Sequence, residues 1–524
     1  MFKGMKSAIR TSRSSKKGLA GLPDELLAII FNMVCYNLPY TVGQTLLGRV
    51  CRKWRKMLLK NPRMWNYILV KYDARFQQAI AHGAQAWARN AKGFPLDVEV
   101  CFMDTPTVPI NPARDDFWRQ LLEPIQSQVQ KLKIVAMVHD INGLRRPLRA
   151  GFPALEYLDI SLYETPGQAL SQKLFFPGGE SFYSCPRLSK VRIDTGFYVQ
   201  MLSEPKASSL VPWQQLSHLE LDEQKGFQVE MLDVLSKCSR LTSCVLTMRG
   251  IDYNSSNYSK MASYAFTIPN LQSLTLYLRK LISPGPILKT LILPNLRSLT
   301  VAPAGDERVI QVGPCIVDAL EDMERHAFFK LRKLSLSCLH LSTSRLIPFF
   351  MNQPKISVLH LNNCPVNTEN LLSKLMPSHQ GIILPGLVEF EFDTPHRTTA
   401  PDYNIVGFLK SRSRSYSNLA RLRSAIYWDN RRMDITAITE IKELRKTGMD
   451  VQVPGLVYDT QFSISGLQGP NAVILGPRRH DDSVFYNIFG VDPKVGQDVH
   501  ANVYFSRPGG AQLEQQMMDL CIRR

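Results

Sequence analysis

The feature that most constrains the fold is a short apolar unit that recurs along residues 131–453. The unit has the form Leu-x-x-Leu-x-Leu, with other apolar residues in place of some leucines. Its copies begin at Leu132, Leu155, Leu188, Leu216, Leu241, Leu271, Leu296, Leu331, Ile356, Leu387 and Leu422. Because one strand and one helix cannot bury their apolar faces alone, a unit repeated at this spacing predicts an array of stacked copies.

Prolines give the register of this array. They stand two residues before the first apolar residue of six copies, at Pro153, Pro186, Pro269, Pro294, Pro354 and Pro385. Proline ends a helix and biases the residue before it toward extended geometry, so each copy is predicted to run as helix, proline and short strand. The first copy is assigned to Leu132, Val135 and Met137.

The residues between the apolar positions are polar and differ from copy to copy. Side chains of a strand alternate between two faces, so these residues are predicted to line a wall opposite the core. The candidate target-binding residues on this wall are Tyr157, Arg192, His218, Arg297, Arg332 and His360. Such mixed polarity suits a protein ligand more than a repetitive polymer. An ordinary solvated sheet surface has the same composition, and this alternative stays open.

Residues 22–65 carry apolar residues at helical spacing on both sides of a turn that contains proline. The first predicted helix starts at Pro23, where the missing N–H needs no partner. The second is predicted to have Thr45 as its N-cap, to continue through Leu58 and to end before Pro62. A segment of roughly forty residues is too small to be stable alone, so a partner or the rest of the chain must cover it.

Most of the net charge of +18 lies in residues 1–63, which hold thirteen Lys/Arg and two acidic residues. A basic hairpin suits an acidic protein partner, whereas a nucleic-acid binder more often spreads its basic residues along a groove. Residues 1–20 are predicted to be a basic disordered tail. A nuclear localisation cluster or a mitochondrial transit peptide has a similar composition.

The order of residues in this segment resembles that of F-box domains, which bind the Skp adaptor of cullin–RING ubiquitin ligases. The match consists of Leu-Pro-x-Glu-Leu-Leu from Leu22, Ile-Phe from Ile30, Val-Cys-Arg-x-Trp-Arg from Val50 and Pro-x-x-Trp from Pro62. The chain up to about Val453 is similar to fungal F-box proteins with leucine-rich repeats. The resemblance implies an acidic Skp adaptor as partner, and through it a cullin. It also implies an adaptor face formed by Leu22, Pro23, Leu26, Ile30, Val50, Cys51 and Trp54.

The predicted fold class is therefore α/β, with an N-terminal helical F-box followed by an irregular leucine-rich-repeat solenoid. The predicted divisions are a basic tail (1–20), the F-box domain (21–70), a linker helix and strand (71–130), the solenoid (131–453) and a C-terminal extension of unknown fold (454–524). Further predicted elements are a helix over 76–89, a strand over 95–100, helices over 229–237 and 370–376, and a closing helix and strand within 435–453.

The sequence contains none of the common catalytic or nucleotide-binding motifs, so no enzyme activity, catalytic residue or cofactor is predicted. The ten cysteines are scattered without a Cys-x-x-Cys pair and are interpreted as reduced thiols of a cytoplasmic or nuclear protein. Cys364 stands at an array position that is normally buried, so it is not interpreted as a nucleophile. The polar cluster at 478–482 is interpreted as a solvated loop, and no metal site or membrane span is predicted.

The function expected from these observations is substrate recognition in a Skp–cullin–F-box ubiquitin ligase. The F-box would bind the Skp adaptor, and the repeats would bind a target protein whose identity the sequence does not give. Two alternatives remain. One is a non-catalytic F-box scaffold that acts outside any ligase. The other is a nucleic-acid-binding repeat protein, which only the net charge suggests.

Overall fold

A computed structural model describes residues 22–37, 42–102, 113–137, 151–163, 185–195, 211–223, 228–248, 265–278, 285–304, 315–378, 381–393, 401–414, 419–428 and 433–453. The predictions for residues 1–20, 454–524 and the cluster at 478–482 fall outside these ranges. The chain forms two compact units, of which unit 1 includes Leu188 and unit 2 begins at Ser189. Helices and strands alternate in both, so the prediction of an α/β chain is confirmed.

Unit 1 begins with three helices, α1 (Asp24–Asn37), α2 (Val42–Val50) and α3 (Arg52–Lys60), and a 3-10 turn at Pro62–Trp65. Asp24 and Glu25 place negative charge in the first turn of α1, where the helix dipole favours it. The prediction of one continuous second helix is wrong. Cys51 is extended, with φ −159° and ψ 168°, and it separates α2 from α3. Thr45 therefore lies within α2 and is not an N-cap.

The rest of unit 1 is built from parallel strands joined by helices. In chain order it contains β1 (Tyr67–Tyr72), α4 (Gln77–Ala91), β2 (Leu96–Phe102), α5 (Ala113–Leu122), β3 (Val129–Met137) and β4 (Tyr157–Tyr163). Strand β1 pairs with β2, β2 with β3, and β3 with β4, all in parallel. The predicted helix over 76–89 and strand over 95–100 are confirmed as α4 and β2. The row of parallel strands thus starts at residue 67, well before the first predicted copy.

The first predicted copy of the apolar unit is wrong in register. In β3 the fully buried side chains are Val129, Leu132, Ile134 and Ala136, whereas Val135 and Met137 are only half-buried. The strand pairing aligns Leu132 and Ile134 with the second and third apolar residues of the next copy. Val129 is therefore the first apolar residue of this copy.

Unit 2 continues the same pattern. Its strands are β5 (Lys190–Thr195), β6 (His218–Glu223), β7 (Ser243–Met248), β8 (Phe266–Thr267), β9 (Ser273–Leu278), β10 (Leu291–Ile292), β11 (Ser298–Pro303), β12 (Lys333–Ser337), β13 (Val358–Asn362), β14 (Glu389–Asp393), β15 (Ser424–Trp428) and β16 (Asp450–Gln452). Its helices are α6 (Gln228–Lys237), α7 (Gly285–Thr290), α8 (Cys315–Ala327), α9 (Thr343–Asn352), α10 (Thr368–Leu375), α11 (Asp402–Ser411) and α12 (Ile435–Lys446), with a 3-10 turn at Trp213–Gln215. The predicted helices over 229–237 and 370–376, and the closing helix and strand, are confirmed.

In the described residues, the strands of unit 1 pair in parallel in the order β1 to β4, and those of unit 2 pair in parallel in the order β5 to β7, β9 and β11 to β16, while β8 and β10 form a separate pair. The second and third apolar residues of every predicted copy from β4 onward are buried. On β9, for example, Leu274 and Leu276 are at most 1% exposed. The repeated leucines are thus core residues, as predicted, and the residues between them form the opposite face.

The prolines before the strands act as turn residues. Pro354 follows α9 after the C-cap residue Gln353, but Pro269 and Pro294 follow the short strands β8 and β10. At each one, the amide two residues after the proline donates to the carbonyl before it, as Leu296 does to Leu293 at 3.2 Å. Proline suits the second position of such a β-turn because its φ is already fixed. The predicted order of helix, proline and strand therefore holds at only one of these three prolines.

A buried cation connects two helices of unit 2. Arg412 follows α11 and is 0% exposed. Its guanidinium donates to the carbonyl of Leu375 at the end of α10, and to those of Ile383 at 2.6 Å and Leu384 at 2.9 Å. Burial lowers the pKa of Arg412 to about 10, which still leaves it charged at neutral pH. Its donors satisfy backbone acceptors that would otherwise be buried without a partner.

Candidate functional site

The helices α1 and α3 share a small core. Leu27 and Phe31 are 0% exposed, and the ring of Trp54 packs edge-on against Phe31 with centroids 4.9 Å apart. Trp65 closes this core, since its Nε1 donates to the carbonyl of Leu58 at 2.8 Å. The other side of Trp65 contacts the ring of Trp87 on α4 at 4.6 Å. The three helices are therefore anchored to the rest of unit 1.

Five large apolar side chains of this region are left exposed. They form two rows, which we call the apolar rows: Leu26, Ile29 and Met33 on α1, and Leu46 and Val50 on α2. Each is between 46% and 61% exposed. They account for five of the fourteen exposed large apolar residues among the described residues. Residues three, four or seven apart lie on one face of a helix, so each row is a continuous apolar stripe.

Exposed cations accompany these rows. The sequence from Leu22 to Trp65 holds seven basic and two acidic residues. Lys53 is paired with Asp24, with its Nζ 3.1 Å from the carboxylate, but Arg52 and Lys56 on α3 form no ion pair with another described residue. Unpaired cations beside an apolar surface attract a partner that carries negative charge.

The predicted adaptor residues divide into exposed and buried ones. Pro23, Leu26 and Val50 are exposed, and Leu22, Ile30 and Cys51 are half-buried. Trp54 is only 8% exposed and packs within the core, which speaks against a direct contact with a partner. The motif did not point to Ile29, Met33 and Leu46. Their signal was helical spacing from Leu26 and Val50 on the outer side of each helix.

The predicted target-binding residues lie on the face of the sheet opposite the core, and several of them already have partners. In unit 2, Arg192 on β5 is 3.2 Å from the Glu220 carboxylate on β6. His360 on β13 lies 2.8 Å from Glu389 and 3.6 Å from Glu391, both on β14. These side chains stabilise neighbouring strands, so a ligand would compete with contacts that the fold already makes.

Two other predicted residues of unit 2, Arg297 and Arg332, lie next to each other, and neither side chain forms an ion pair with another residue that the structure describes. They lead into β11 and β12, and the Arg332 amide donates to the Arg297 carbonyl at 2.7 Å. Both side chains are exposed. His218 is exposed at the start of β6, and partial burial together with Lys190 lowers its pKa. The remaining predicted residue, Tyr157, is half-buried on β4 of unit 1.

The described residues show little that suggests a metal site or a catalytic group. No group of three or more His, Cys, Asp or Glu in them is arranged to hold a metal ion. None of their helices has both the length and the apolarity needed to cross a bilayer. Cys364 is 0% exposed, and burial raises the pKa of its thiol to about 12, so it is not placed or activated as a nucleophile.

Comparison with known proteins adds no assignment, since no family model and no curated protein matches this chain.

Proposed function

We propose that this protein is a substrate-recognition subunit of a Skp–cullin–F-box ubiquitin ligase. In this proposal α1 to α3 are the F-box and bind the Skp adaptor. The sheet and its helices are an irregular leucine-rich-repeat solenoid that binds a target protein. The protein performs no covalent step. It holds the target close to the ubiquitin-carrying enzyme and so raises the effective concentration of the two reactants.

The observation that carries the proposal is the pair of apolar rows. A small helical segment normally turns its large apolar side chains inward, and contiguous exposed apolar surface marks an interaction site. Here the core of the segment is already filled by Leu27, Phe31 and Trp54, and five further apolar side chains remain outside. The sequence around them resembles the F-box motif, which supports the Skp adaptor as the partner.

The free energy gained by burying the apolar rows is enough to form a weak interface, but a stable one also needs a contribution from charge. Complete burial of such a side chain is worth about 1.5–3 kcal/mol, so the exposed half of each contributes about 1 kcal/mol and the five together about 5 kcal/mol. Association costs at least about 4 kcal/mol in lost freedom. The cations of α3 are therefore expected to speed association with an acidic adaptor.

The test replaces two side chains of the apolar rows in the full-length chain. Leu26→Ala with Val50→Ala should weaken binding of the purified Skp adaptor by about 2 kcal/mol, or about 30-fold. The matched control is Met351→Ala with Ile435→Ala, which removes two exposed apolar side chains elsewhere (63% and 83% exposed). The control should bind the adaptor as the wild type does.

Equal adaptor affinity of the wild type and the Leu26/Val50 variant would refute the F-box assignment. A second measurement separates the ligase from a scaffold that uses the same adaptor. A cullin inhibitor should lengthen the half-life of proteins captured by the wild type. Half-lives that do not respond to the inhibitor would refute the ligase role. They would not contradict binding of the Skp adaptor.

A further inference from the structure

Cations on the helices of unit 2 are mostly ion-paired. Lys289 on α7 lies 2.9 Å from Asp322, and Lys410 on α11 lies 2.8 Å from Glu440. Lys237 on α6 is paired within its own helix. On this side of unit 2, positive charge is balanced locally and needs no external partner.

A second group of cations in unit 2 behaves differently. It lies where the strands β7, β11, β12 and β13 begin, and we call it the cationic edge: Arg240, Arg297, Lys330, Arg332, Lys333 and Lys355. Five of the six are exposed and Lys333 is half-buried. None of them forms an ion pair or a side-chain hydrogen bond with another described residue. The cationic edge therefore carries six positive charges that the described part of the chain does not balance.

The strand register brings these charges close together. Arg297 and Arg332 stand at equivalent positions of adjacent strands, and the amide of Ser357 continues the same row by donating to the Arg332 carbonyl at 2.8 Å. Lys333 pairs in register with Ser298 on one side and Val358 on the other. Neighbouring strands lie about 4.8 Å apart. Like charges at directly opposite positions destabilise a sheet, so the fold gains nothing from them.

The surroundings favour a protein ligand over a nucleic acid. The half-buried hydroxyl residues Ser298 and Thr300 lie beside the edge, and arginine offers paired donors that match a carboxylate. Binding of single-stranded nucleic acid relies on aromatic rings that stack on the bases. Of the described residues on the outward face of β7 to β13, only Tyr277 is a Phe, Tyr or Trp.

We infer that the cationic edge binds an extended protein segment rich in Asp and Glu. The inference rests on the proposed function, for which it names the recognised feature of the target. From β7 to β13 the edge spans four strand spacings, or about 19 Å. An extended peptide covers this distance with about six residues. The ligand is therefore a short acidic run rather than a folded surface.

The test uses fluorescein-labelled octa-glutamate and measures its anisotropy with the full-length chain at low salt. The edge variant is Arg297→Gln with Arg332→Gln and Lys333→Gln. The control variant is Arg345→Gln with Lys374→Gln and Lys446→Gln, which removes the same charge from helices. The edge variant should bind the peptide about tenfold more weakly than the wild type, and the control should match the wild type.

No binding by the wild type, or equal loss in the edge and control variants, would overturn the inference. A phosphoserine peptide and oligo-dT are compared in the same assay. If either binds the wild type more strongly than octa-glutamate does and loses affinity for the edge variant, that ligand is the better candidate and the inference is overturned. Adaptor binding is measured on the same samples and should not change in the edge variant. The Leu26/Val50 variant should bind the peptide as the wild type does. Failure of the adaptor proposal is therefore distinguishable from failure of the proposal for the cationic edge.

Discussion

Replacement of Trp54 by alanine tests whether this side chain supports the core of α1 and α3 or contacts a partner. The ring is 8% exposed and packs at 62° against Phe31. Truncation of a buried tryptophan costs about 3–5 kcal/mol, of which the aromatic contact supplies about 0.5–1.5 kcal/mol. A helical segment this small has only a few kcal/mol to lose, so we expect α1 to α3 to unfold locally.

Hydrogen exchange followed by mass spectrometry measures this loss directly. Amide protection in α1 should fall by about 100- to 4,000-fold in Trp54→Ala, because each 1.4 kcal/mol changes an equilibrium tenfold. Trp54→Phe is the matched control. It keeps a ring against Phe31 and removes a buried indole N–H that has no acceptor among the described residues, so it should retain most of the protection.

The reasoning would be refuted if Trp54→Ala kept full protection in α1 and α3 and still lost the Skp adaptor. Trp54 would then be a contact residue, as the sequence motif implies, and the packing against Phe31 would be dispensable. Loss of protection together with loss of the adaptor agrees with a core role. In that case the exposed residues Leu26 and Val50 must supply the contact, and their variant must lose the adaptor without losing protection.

Three further predictions concern stability and reactivity. A Cβ at Gly43 would lie 2.9 Å from the Cα of Cys35, so Gly43→Ala should force α1 away from α2 and lower the melting temperature. Gly83 has open space around it, so Gly83→Ala should raise the melting temperature slightly. A higher melting temperature for Gly43→Ala than for Gly83→Ala would contradict this packing. Arg412→Met leaves buried carbonyls unsatisfied and should cost about 3 kcal/mol or more in urea unfolding, and an unchanged midpoint would show that these hydrogen bonds contribute nothing. Burial raises the pKa of Cys364 to about 12, so iodoacetamide at pH 8 should label it only after unfolding, and labelling of the native protein would show that the site opens.

The core of the array could be predicted because its leucines recur at fixed spacing, but its beginning could not. Strands β1 and β2 use Ile68, Val70, Val98 and Val100 at the equivalent positions, so a search for leucines passes over them. The register of β3 was missed for a related reason. Its apolar run from Ile134 to Met137 is continuous, and a continuous run does not indicate which face is buried.

The exposed residues were harder to predict than the buried ones. Leu26 and Leu27 are adjacent and chemically identical, yet one is 48% exposed and the other 0%. Spacing alone identifies an apolar stripe but not its boundary, which depends on where α3 packs. Trp54 shows the opposite error, since a residue of the motif that was assigned to the surface fills the core. Only the packing of the three helices separates these cases.

The same dependence on neighbours decides which charges of unit 2 are available to a ligand. Arg192 lies within β5 and finds Glu220 on the neighbouring strand β6, whereas Arg297 directly precedes β11 and finds Arg332 at the start of the neighbouring strand β12. Arg192 is thus ion-paired across β5 and β6, and His360 contacts Glu389 and Glu391 across β13 and β14. Between these two regions lies the cationic edge, whose charges form no ion pair with any residue that the structure describes. Since all of these strands bury their apolar core positions alike, this difference in charge is not required by the fold, and β11 to β13 are where a target-binding function should first be sought.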